Sequence, residues 1–296
     1  MRILMLSAYD ADSHKAWREG LEAAFSQCEW TVLTLPPRYF SWRIRGNSLT
    51  WAFAQRDVLQ EPYDLLIATS MVDLSSLRGF VPKLAEIPTL LYFHENQFSF
   101  PQSAKQHQSI EPQIVSLYSA LCADKIAFNS RFNRDSFFSG AEQLLKKLPD
   151  AVPKGLVETL RARACVLPVP INASDLDSDA FVCAPDIDRL WPELHSLPGR
   201  PLRILWAARW EYDKGPERLL EILRQLESRP GVDYELCLLG QSFRHSPVEF
   251  EQIQSEFEHR LVQVGYETTV QRYQCWLQRA DVVLSTAIHE FQGLAV

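Results

Sequence analysis

Short apolar runs alternate with amphipathic stretches along most of the chain. Six runs in the first part predict β-strands: Arg2–Ser7, Thr31–Leu35, Leu65–Thr69, Thr89–Phe93, Lys125–Phe128 and Cys165–Pro168. Amphipathic stretches such as Ser13–Phe25 and Gln113–Cys122 lie between them and predict helices. Nearly continuous apolar strands separated by helices are typical of a parallel sheet covered on both faces. Residues 1–170 are therefore expected to form an α/β, doubly wound Rossmann-like domain.

The pattern breaks after residue 170 and resumes near residue 201. Residues 171–200 are rich in acids and prolines and show little periodicity, which predicts a linker. Beyond it, four strands and three helices are predicted: Leu202–Ala207, Tyr234–Leu239, Leu261–Val264 and Val282–Thr286, then Pro216–Glu227, Val248–His259 and Val270–Arg279. Residues 201–296 thus predict a second Rossmann-like domain, expected to be truncated because Val296 falls where a helix should begin. Ligands of open α/β sheets bind at the carboxyl ends of the strands, so the loops there should carry the site.

Composition and charge narrow the class of protein. The chain has 296 residues, 46% apolar and 23% charged, which is the balance of a soluble globular protein. Residues 1–172 hold 18 basic and 17 acidic side chains and residues 173–296 hold 12 and 20, so a polyanion should meet the first part. Six cysteines without a CxxC pair predict a reduced, cytoplasmic protein. Since no run approaches the roughly 20 apolar residues of a membrane span, no membrane contact is expected.

Candidate chemistry in the second part follows the predicted strands. Arg209 and Lys214 stand just before a helix and suit two phosphates, although Arg209 could instead pair with Glu211 in a solvated turn. Gly240 ends the next strand, where a glycine indicates either a close approach of the backbone to another group or an ordinary turn. Glu290 follows the last strand, where a carboxylate can accept hydrogen bonds from sugar hydroxyls while helix amides hold a diphosphate.

These elements resemble the donor domain of retaining glycosyltransferases of family 4. The resemblance rests on Arg-x-x-x-x-Lys-Gly, a strand ending in Gly, Ala-Asp-Val and His-Glu-Phe-x-Gly. It implies a GT-B fold with two facing Rossmann-like domains, diphosphate binding by Arg209 and Lys214, and contact of Glu290 with the transferred sugar. It also implies donor contacts at neighbouring positions, namely Gly240, His289, Phe291 and Gly293. A ribose-binding Glu would fall at position 298, two residues past the end of the chain.

Polar residues also follow the strands of the first part. Ser13 is interpreted as a helix cap, with His14 and Lys15 in the first turn, although His14 could be an ordinary surface histidine. His94-Glu95-Asn96 ends a strand; a protease-type zinc site is excluded because no second His follows at the required spacing. A His, an acid and an amide can hydrogen-bond hydroxyls. Asn129-Ser130 occupies a matching loop, where Ser130 could be only a cap.

Residues 30–56 contain no acid and interleave arginines with aromatic residues. That mixture suits phosphate contacts combined with base stacking. The alternative is amphipathic packing, with arginine stems lying over a core.

The first part resembles a narrower family, the tRNA-queuosine mannosyltransferases. The resemblance rests on Ser-His-Lys, Trp-Arg-x-Arg, Tyr-Phe-His-Glu-Asn-Gln, Phe-Asn-Ser-x-Phe-Asn and Leu-Pro-Asp. It implies transfer of mannose from GDP-mannose onto the queuosine of a tRNA anticodon. It places His94 and Glu95, together with Glu290, in the catalytic set. The acceptor-binding residues it implies are Ser13, His14, Lys15, Trp42, Arg43, Arg45, Asn96, Asn129 and Ser130.

Neither a metal nor a cofactor is expected. Asp-x-Asp triplets at 10/12, 177/179 and 186/188 could suggest a metal-dependent transferase, but two lie in the predicted linker and one precedes a helix. Three alternatives remain open: a tRNA-binding module without catalysis, a family 4 enzyme with a non-RNA acceptor, and a nicotinamide enzyme. The last is disfavoured because no GxGxxG follows either first strand. The sequence leaves the oligomeric state undetermined.

Overall fold

A computed structural model describes residues 1–99, 109–170, 183–193, 199–242, 246–291 and 293. The chain divides into two compact units, Met1–Pro170 and Ile171–Val296, and each is described by itself. No helix within the described ranges is long and apolar enough to cross a membrane.

The first unit is a six-stranded sheet in which all neighbouring strands are parallel. The strands are β1 (Arg2–Ser7), β2 (Glu29–Thr34), β3 (Leu65–Thr69), β4 (Thr89–Phe93), β5 (Lys125–Phe128) and β6 (Ala164–Val166), in the order β2-β1-β3-β4-β5-β6. The helices are α1 (Asp12–Ala24), α2 (Phe40–Ala54), α3 (Arg56–Leu59), α4 (Leu74–Phe80), α5 (Glu111–Cys122), α6 (Arg131–Lys147) and α7 (Leu156–Ala162). Pro82–Glu86 forms a 3-10 turn.

Side chains of the central strands fill the core on both faces of this sheet. Leu4, Met5 and Leu6 of β1 have no exposed surface, which explains why this strand reads as a continuous apolar run. The chain passes from β1 to β2 on one side and then returns to β3 on the other. This reversal makes the carboxyl ends of β1 and β3 the switch point of the sheet, where ligands of such folds bind.

The second unit contains a four-stranded parallel sheet in the order β10-β7-β8-β9. Its strands are β7 (Leu202–Ala207), β8 (Tyr234–Leu239), β9 (Leu261–Gly265) and β10 (Val282–Val283). Its helices are α8 (Pro185–Leu190), α9 (Pro216–Glu227), α10 (Glu249–Glu256) and α11 (Val270–Arg279), with 3-10 turns at Tyr212–Lys214 and Glu258–Arg260. The last strand is shorter than expected: it ends at Val283, although the backbone N–H of Leu284 still donates to the carbonyl of Leu205 (2.8 Å).

Residues 183–193 were expected to be part of a linker, but they are folded within the second unit. These residues form α8, and its Ile187 and the following Trp191 are fully buried in one cluster with Leu205 and Trp276. A six-residue helix is too short to show helical periodicity in sequence, which explains why none was expected. Residues 171–182 and 194–198 of the expected linker, with the triplet at 177/179, lie outside the described residues.

Candidate functional site

A stacked histidine pair lies at the carboxyl end of β4. The ring of His94 stacks on that of His14 with centroids 4.0 Å apart and planes at 17°. Trp17 and Tyr92 meet the His94 ring edge to face. Burial, followed by the neighbouring His14, holds the pKa of His94 well below its usual value. At neutral pH His94 is therefore a neutral imidazole, and its buried Nε2 has no hydrogen-bond partner among the described residues.

Three asparagines link the loops that follow β4 and β5. Nδ2 of Asn96 donates to Oδ1 of Asn133 (2.8 Å), and Nδ2 of Asn133 donates to Oδ1 of Asn129 (2.8 Å). Nδ2 of Asn129 then donates to the carbonyl of His94 (2.7 Å). All three are buried, so the network fixes the backbone that carries the histidine. Asn133 was not predicted as a site residue, although it stands in the Phe-Asn-Ser-x-Phe-Asn motif.

The other polar residues predicted in these loops have varied surroundings. The hydroxyl of Ser130 accepts from the backbone N–H of Asn133 and caps α6, as one interpretation of the sequence expected. Ser13 does not cap α1, because that helix begins at Asp12 with Ala11 at the cap position. Lys15 is exposed and lies 3.9 Å from Glu19, and Glu95 is half-buried. Acceptor contact by these residues and by Asn96 and Asn129 stays a prediction.

Helix α2 carries the predicted Trp-Arg-x-Arg segment. Trp42 is exposed and lies over Gly46, where an added Cβ would overlap the indole ring. Arg45 is half-exposed and pairs with Asp73 (2.8 Å) and Glu111 (3.2 Å). Arg43, two residues earlier, is 7% exposed and its Nε has no partner among the described residues. Of the two arginines on this helix, Arg45 is therefore exposed and paired with carboxylates, while Arg43 is buried and has no such pair among the described residues.

Lys214 lies between two carboxylates in the second unit. Its Nζ is 2.9 Å from Oε2 of Glu290 and 3.2 Å from Oδ2 of Asp213. Burial lowers the pKa of Lys214, but the two carboxylates outweigh this and leave the pKa raised, so the ammonium stays charged. The structure thus brings together two residues predicted to contact the donor, 76 positions apart in sequence.

Two glycines and a threonine hold the loops around Lys214. Gly215 has φ 64°, and a Cβ there would overlap the carbonyl oxygen of Thr286. The Thr286 hydroxyl donates to the carbonyl of Lys214 (2.8 Å) and accepts from the indole N–H of Trp206 (2.9 Å). A Cβ at Gly240 would overlap the carbonyl oxygen of Ala208, so this position is a close backbone approach. Thr286 was missed because a lone threonine after a strand gives no sequence signal.

The remaining predicted donor residues lie in the same unit. Arg209 is exposed and lies 3.1 Å from Glu211, the pairing that the sequence left open as an alternative. His289 meets Phe291 edge to face at 4.3 Å, and burial, then Lys214, lowers the pKa of His289. Gly293 has φ 66°, a conformation that favours glycine. Donor contact by these residues stays a prediction.

No cluster of three or more potential metal-ligating side chains occurs in the described part of the chain. Two of the Asp-x-Asp triplets contain aspartates that pair with arginines. Asp10 lies 3.2 Å from Arg18, and Asp186 lies 2.9 Å from Arg272.

Two comparisons with known proteins show the family of the chain. The family model described as tRNA-queuosine alpha-mannosyltransferase N-terminal matches residues 2–171. The tRNA-queuosine alpha-mannosyltransferase of Drosophila melanogaster is 31% identical over 294 residues, which cover 99% of this chain and 75% of that protein.

Solved structures show the fold. Anabaena Alr3699/HepE in complex with UDP aligns with a TM-score of 0.60 at 14% identity, over 98% of this chain and 75% of that one. The catalytic domain of Arabidopsis thaliana starch synthase IV, bound to ADP and acarbose, aligns with a TM-score of 0.62 at 13% identity, over 99% and 79%. These likenesses confirm the predicted GT-B fold class. The family match over the first unit and the identity across both units place the chain in the tRNA-queuosine alpha-mannosyltransferase family, whose glycosyltransferase activity it shares.

Proposed function

We propose that this protein transfers mannose from GDP-mannose onto the queuosine nucleoside of a tRNA anticodon. The observation that carries the proposal is the 31% identity to a tRNA-queuosine alpha-mannosyltransferase across 99% of the chain. The residues that build the donor and histidine sites lie within that aligned length. Free cysteines throughout the chain are usual in a reducing compartment, which supports a cytoplasmic location.

Donor binding is assigned to the loops around Lys214. Arg209 and Lys214 supply positive charge for the diphosphate, and the first amides of α9 add the positive end of a helix dipole. The carboxylate of Glu290 is suited to the hydroxyls of the transferred sugar. Because Lys214 pairs with Glu290, donor binding at Lys214 redistributes an existing ion pair. The UDP-bound neighbour HepE supports a nucleotide sugar as the donor class.

The proposed reaction is retaining and uses no metal or cofactor. The bond between the anomeric carbon and the diphosphate breaks, and a bond from the same face forms to a hydroxyl of queuosine. The hydroxyl proton passes to an oxygen of the leaving diphosphate, whose developing charge Arg209, Lys214 and the helix amides stabilise. Neutral His94, with Glu95 beside it, is suited to hydrogen-bond a hydroxyl of the transferred sugar.

A transfer assay tests the proposal. The protein is incubated with labelled GDP-mannose and with one tRNA prepared either with queuosine or with guanosine at that anticodon position. We expect label only in the queuosine tRNA and unchanged transfer in EDTA. Absence of transfer would contradict the function, and loss in EDTA that Mg²⁺ restores would contradict the metal-free mechanism. Calorimetry with GDP-mannose, UDP-glucose and NAD then identifies the donor, and binding of NAD alone would favour a nicotinamide enzyme.

A further inference from the structure

The side chain of Arg43 on helix α2 is almost fully buried and has no counterion among the described residues. The residue is 7% exposed, and its side chain has neither a hydrogen bond nor an ion pair within the described part of the chain. A guanidinium remains ionised at any physiological pH. Burying such a charge costs free energy unless an anion or acceptor compensates it. A bound ligand that supplies an anion or a hydrogen-bond acceptor would therefore stabilise Arg43.

The neighbours of Arg43 on α2 show where it is aimed. Phe40 and Asn47 lie one turn to either side, on the same face of the helix. The ring of Phe40 meets that of Tyr9, after β1, and Nδ2 of Asn47 donates to the carbonyl of Met71 (3.1 Å), after β3. Arg43 thus faces the segments that follow β1 and β3, which enclose the switch point of the sheet.

The guanidinium of Arg43 has the chemistry to bind a phosphate group. Its N–H donors lie in one plane as a fork that matches two phosphate oxygens.

Two carboxylates of this edge are already paired with other arginines. Asp10, after β1, lies 3.2 Å from Arg18, and Asp73, after β3, lies 2.8 Å from Arg45. Neither therefore compensates Arg43. No carboxylate among the described residues pairs with Arg43, which favours an external anion as its counterion.

We propose that Arg43 anchors a phosphate subsite at the switch point of the first sheet, and that a backbone phosphodiester of the RNA acceptor occupies it. The choice of RNA rests on the proposed function. Exposed aromatic rings on the same segment, those of Tyr39, Trp42 and Phe53, offer stacking surfaces for bases, and residues 30–56 contain no acid to repel a polyanion. The diphosphate of the nucleotide sugar is the other source of the same chemistry, and the experiment separates the two.

The test compares Arg43→Met with a matched control. Lys125→Met also removes one positive charge from the first unit, but from the amino end of β5, at the opposite edge of the sheet. Binding of the queuosine tRNA is measured over a series of salt concentrations, and binding of GDP-mannose at one. We expect Arg43→Met to weaken tRNA binding about 10- to 100-fold and to lower the log–log salt slope by about 0.7–0.9. GDP-mannose affinity and all properties of Lys125→Met should be unchanged.

Thermal unfolding without ligand separates binding from a structural role. Because Arg43→Met removes an uncompensated charge, its Tm should equal or exceed that of the wild type. A lowered Tm with unchanged tRNA affinity would show that Arg43 only supports packing and would overturn the proposal. Loss of GDP-mannose binding alone would assign the subsite to the donor and overturn the RNA assignment.

Thermal unfolding with inorganic phosphate tests the subsite even if the proposed function is wrong. Inorganic phosphate should raise the Tm of the wild type and of Lys125→Met but not that of Arg43→Met. If the wild type binds no tRNA yet shows this difference, the RNA assignment is wrong while the phosphate subsite stands. If phosphate shifts all three proteins equally, the subsite itself is wrong.

Discussion

The two units handle charge differently at the carboxyl ends of their sheets. In the second unit, Lys214 lies between Glu290 and Asp213, and Arg209 pairs with Glu211, so each cation has an internal counterion. In the first unit, the buried guanidinium of Arg43 has none among the described residues. A cation that already pairs with a carboxylate does not destabilise the protein without ligand, but it must release that carboxylate to bind an anion. A buried cation without a counterion can bind an anion directly, but it lowers the stability of the protein without ligand.

The largest effect is expected when Lys214, the cation with internal counterions, is removed. Lys214→Ala should lower turnover about 10²–10³-fold, because it removes a donor to the leaving diphosphate. Steady-state kinetics with GDP-mannose and queuosine tRNA measure it. Arg224→Ala is the control, since Arg224 forms an exposed pair with Glu256 on α9 and α10 and should keep wild-type rates. Equal rates in all three proteins would remove Lys214 from the mechanism.

Gly215→Ala tests how rigidly the loop of Lys214 is held. The new Cβ would overlap the carbonyl oxygen of Thr286 in a left-handed conformation, so we expect about 3 kcal/mol of lost stability. Gly231 has a similar φ of 80° but nothing within 4 Å of an added Cβ. Gly231→Ala should therefore cost only about 1 kcal/mol. Similar denaturant midpoints for the two variants would contradict the close contact.

Asn133→Ala tests the amide network of the first unit. It leaves Oδ1 of Asn129 without the bond from Asn133, and a buried group left unsatisfied costs about 1–3 kcal/mol. Chemical denaturation should show a loss of about 2 kcal/mol. Gln143→Ala, on the exposed side of the same helix, should change stability by less than about 0.5 kcal/mol. A loss no larger in Asn133→Ala would mean that the network does not order these loops.

The smallest expected effect concerns the pH dependence of stability. The pKa of His94 is lower in the folded than in the unfolded chain, so below about pH 6.5 the unfolded chain binds the extra proton. The stabilisation is present above that pH and is lost as pH falls, at up to about 1.4 kcal/mol per pH unit. His94→Gln should flatten this slope, with a remainder from His289. Parallel curves for the wild type and the variant would contradict a neutral, buried His94.

Apolar pattern predicted the strands better than the helices. Strands β1, β3, β4, β5, β7 and β8 have the bounds expected from sequence, because buried parallel strands are nearly continuous apolar runs. Helix α2 was not predicted as a helix. It buries Arg43, Asn47 and Ser48 alongside its apolar residues, so it lacks the apolar stripe on which such predictions depend.

The site was predictable in residue type but not in its pairings. Lys214 and Glu290 were both named, yet their ion pair joins positions 76 apart and depends on the tertiary fold. Arg43 and Arg45 look equivalent in sequence. The way helix α2 packs on the sheet separates them: Arg43 is buried with no counterion among the described residues, while Arg45 pairs with Asp73.

Paired titrations test the difference between the two units most directly. The wild type, Arg43→Met and Lys214→Ala are each titrated with queuosine tRNA and, separately, with GDP-mannose. Arg43→Met should lose only tRNA affinity, and Lys214→Ala should lose only GDP-mannose affinity. If each variant weakens both ligands equally, or if Arg43→Met changes neither, the assignment of an uncompensated RNA phosphate site to the first unit and a compensated donor site to the second is contradicted.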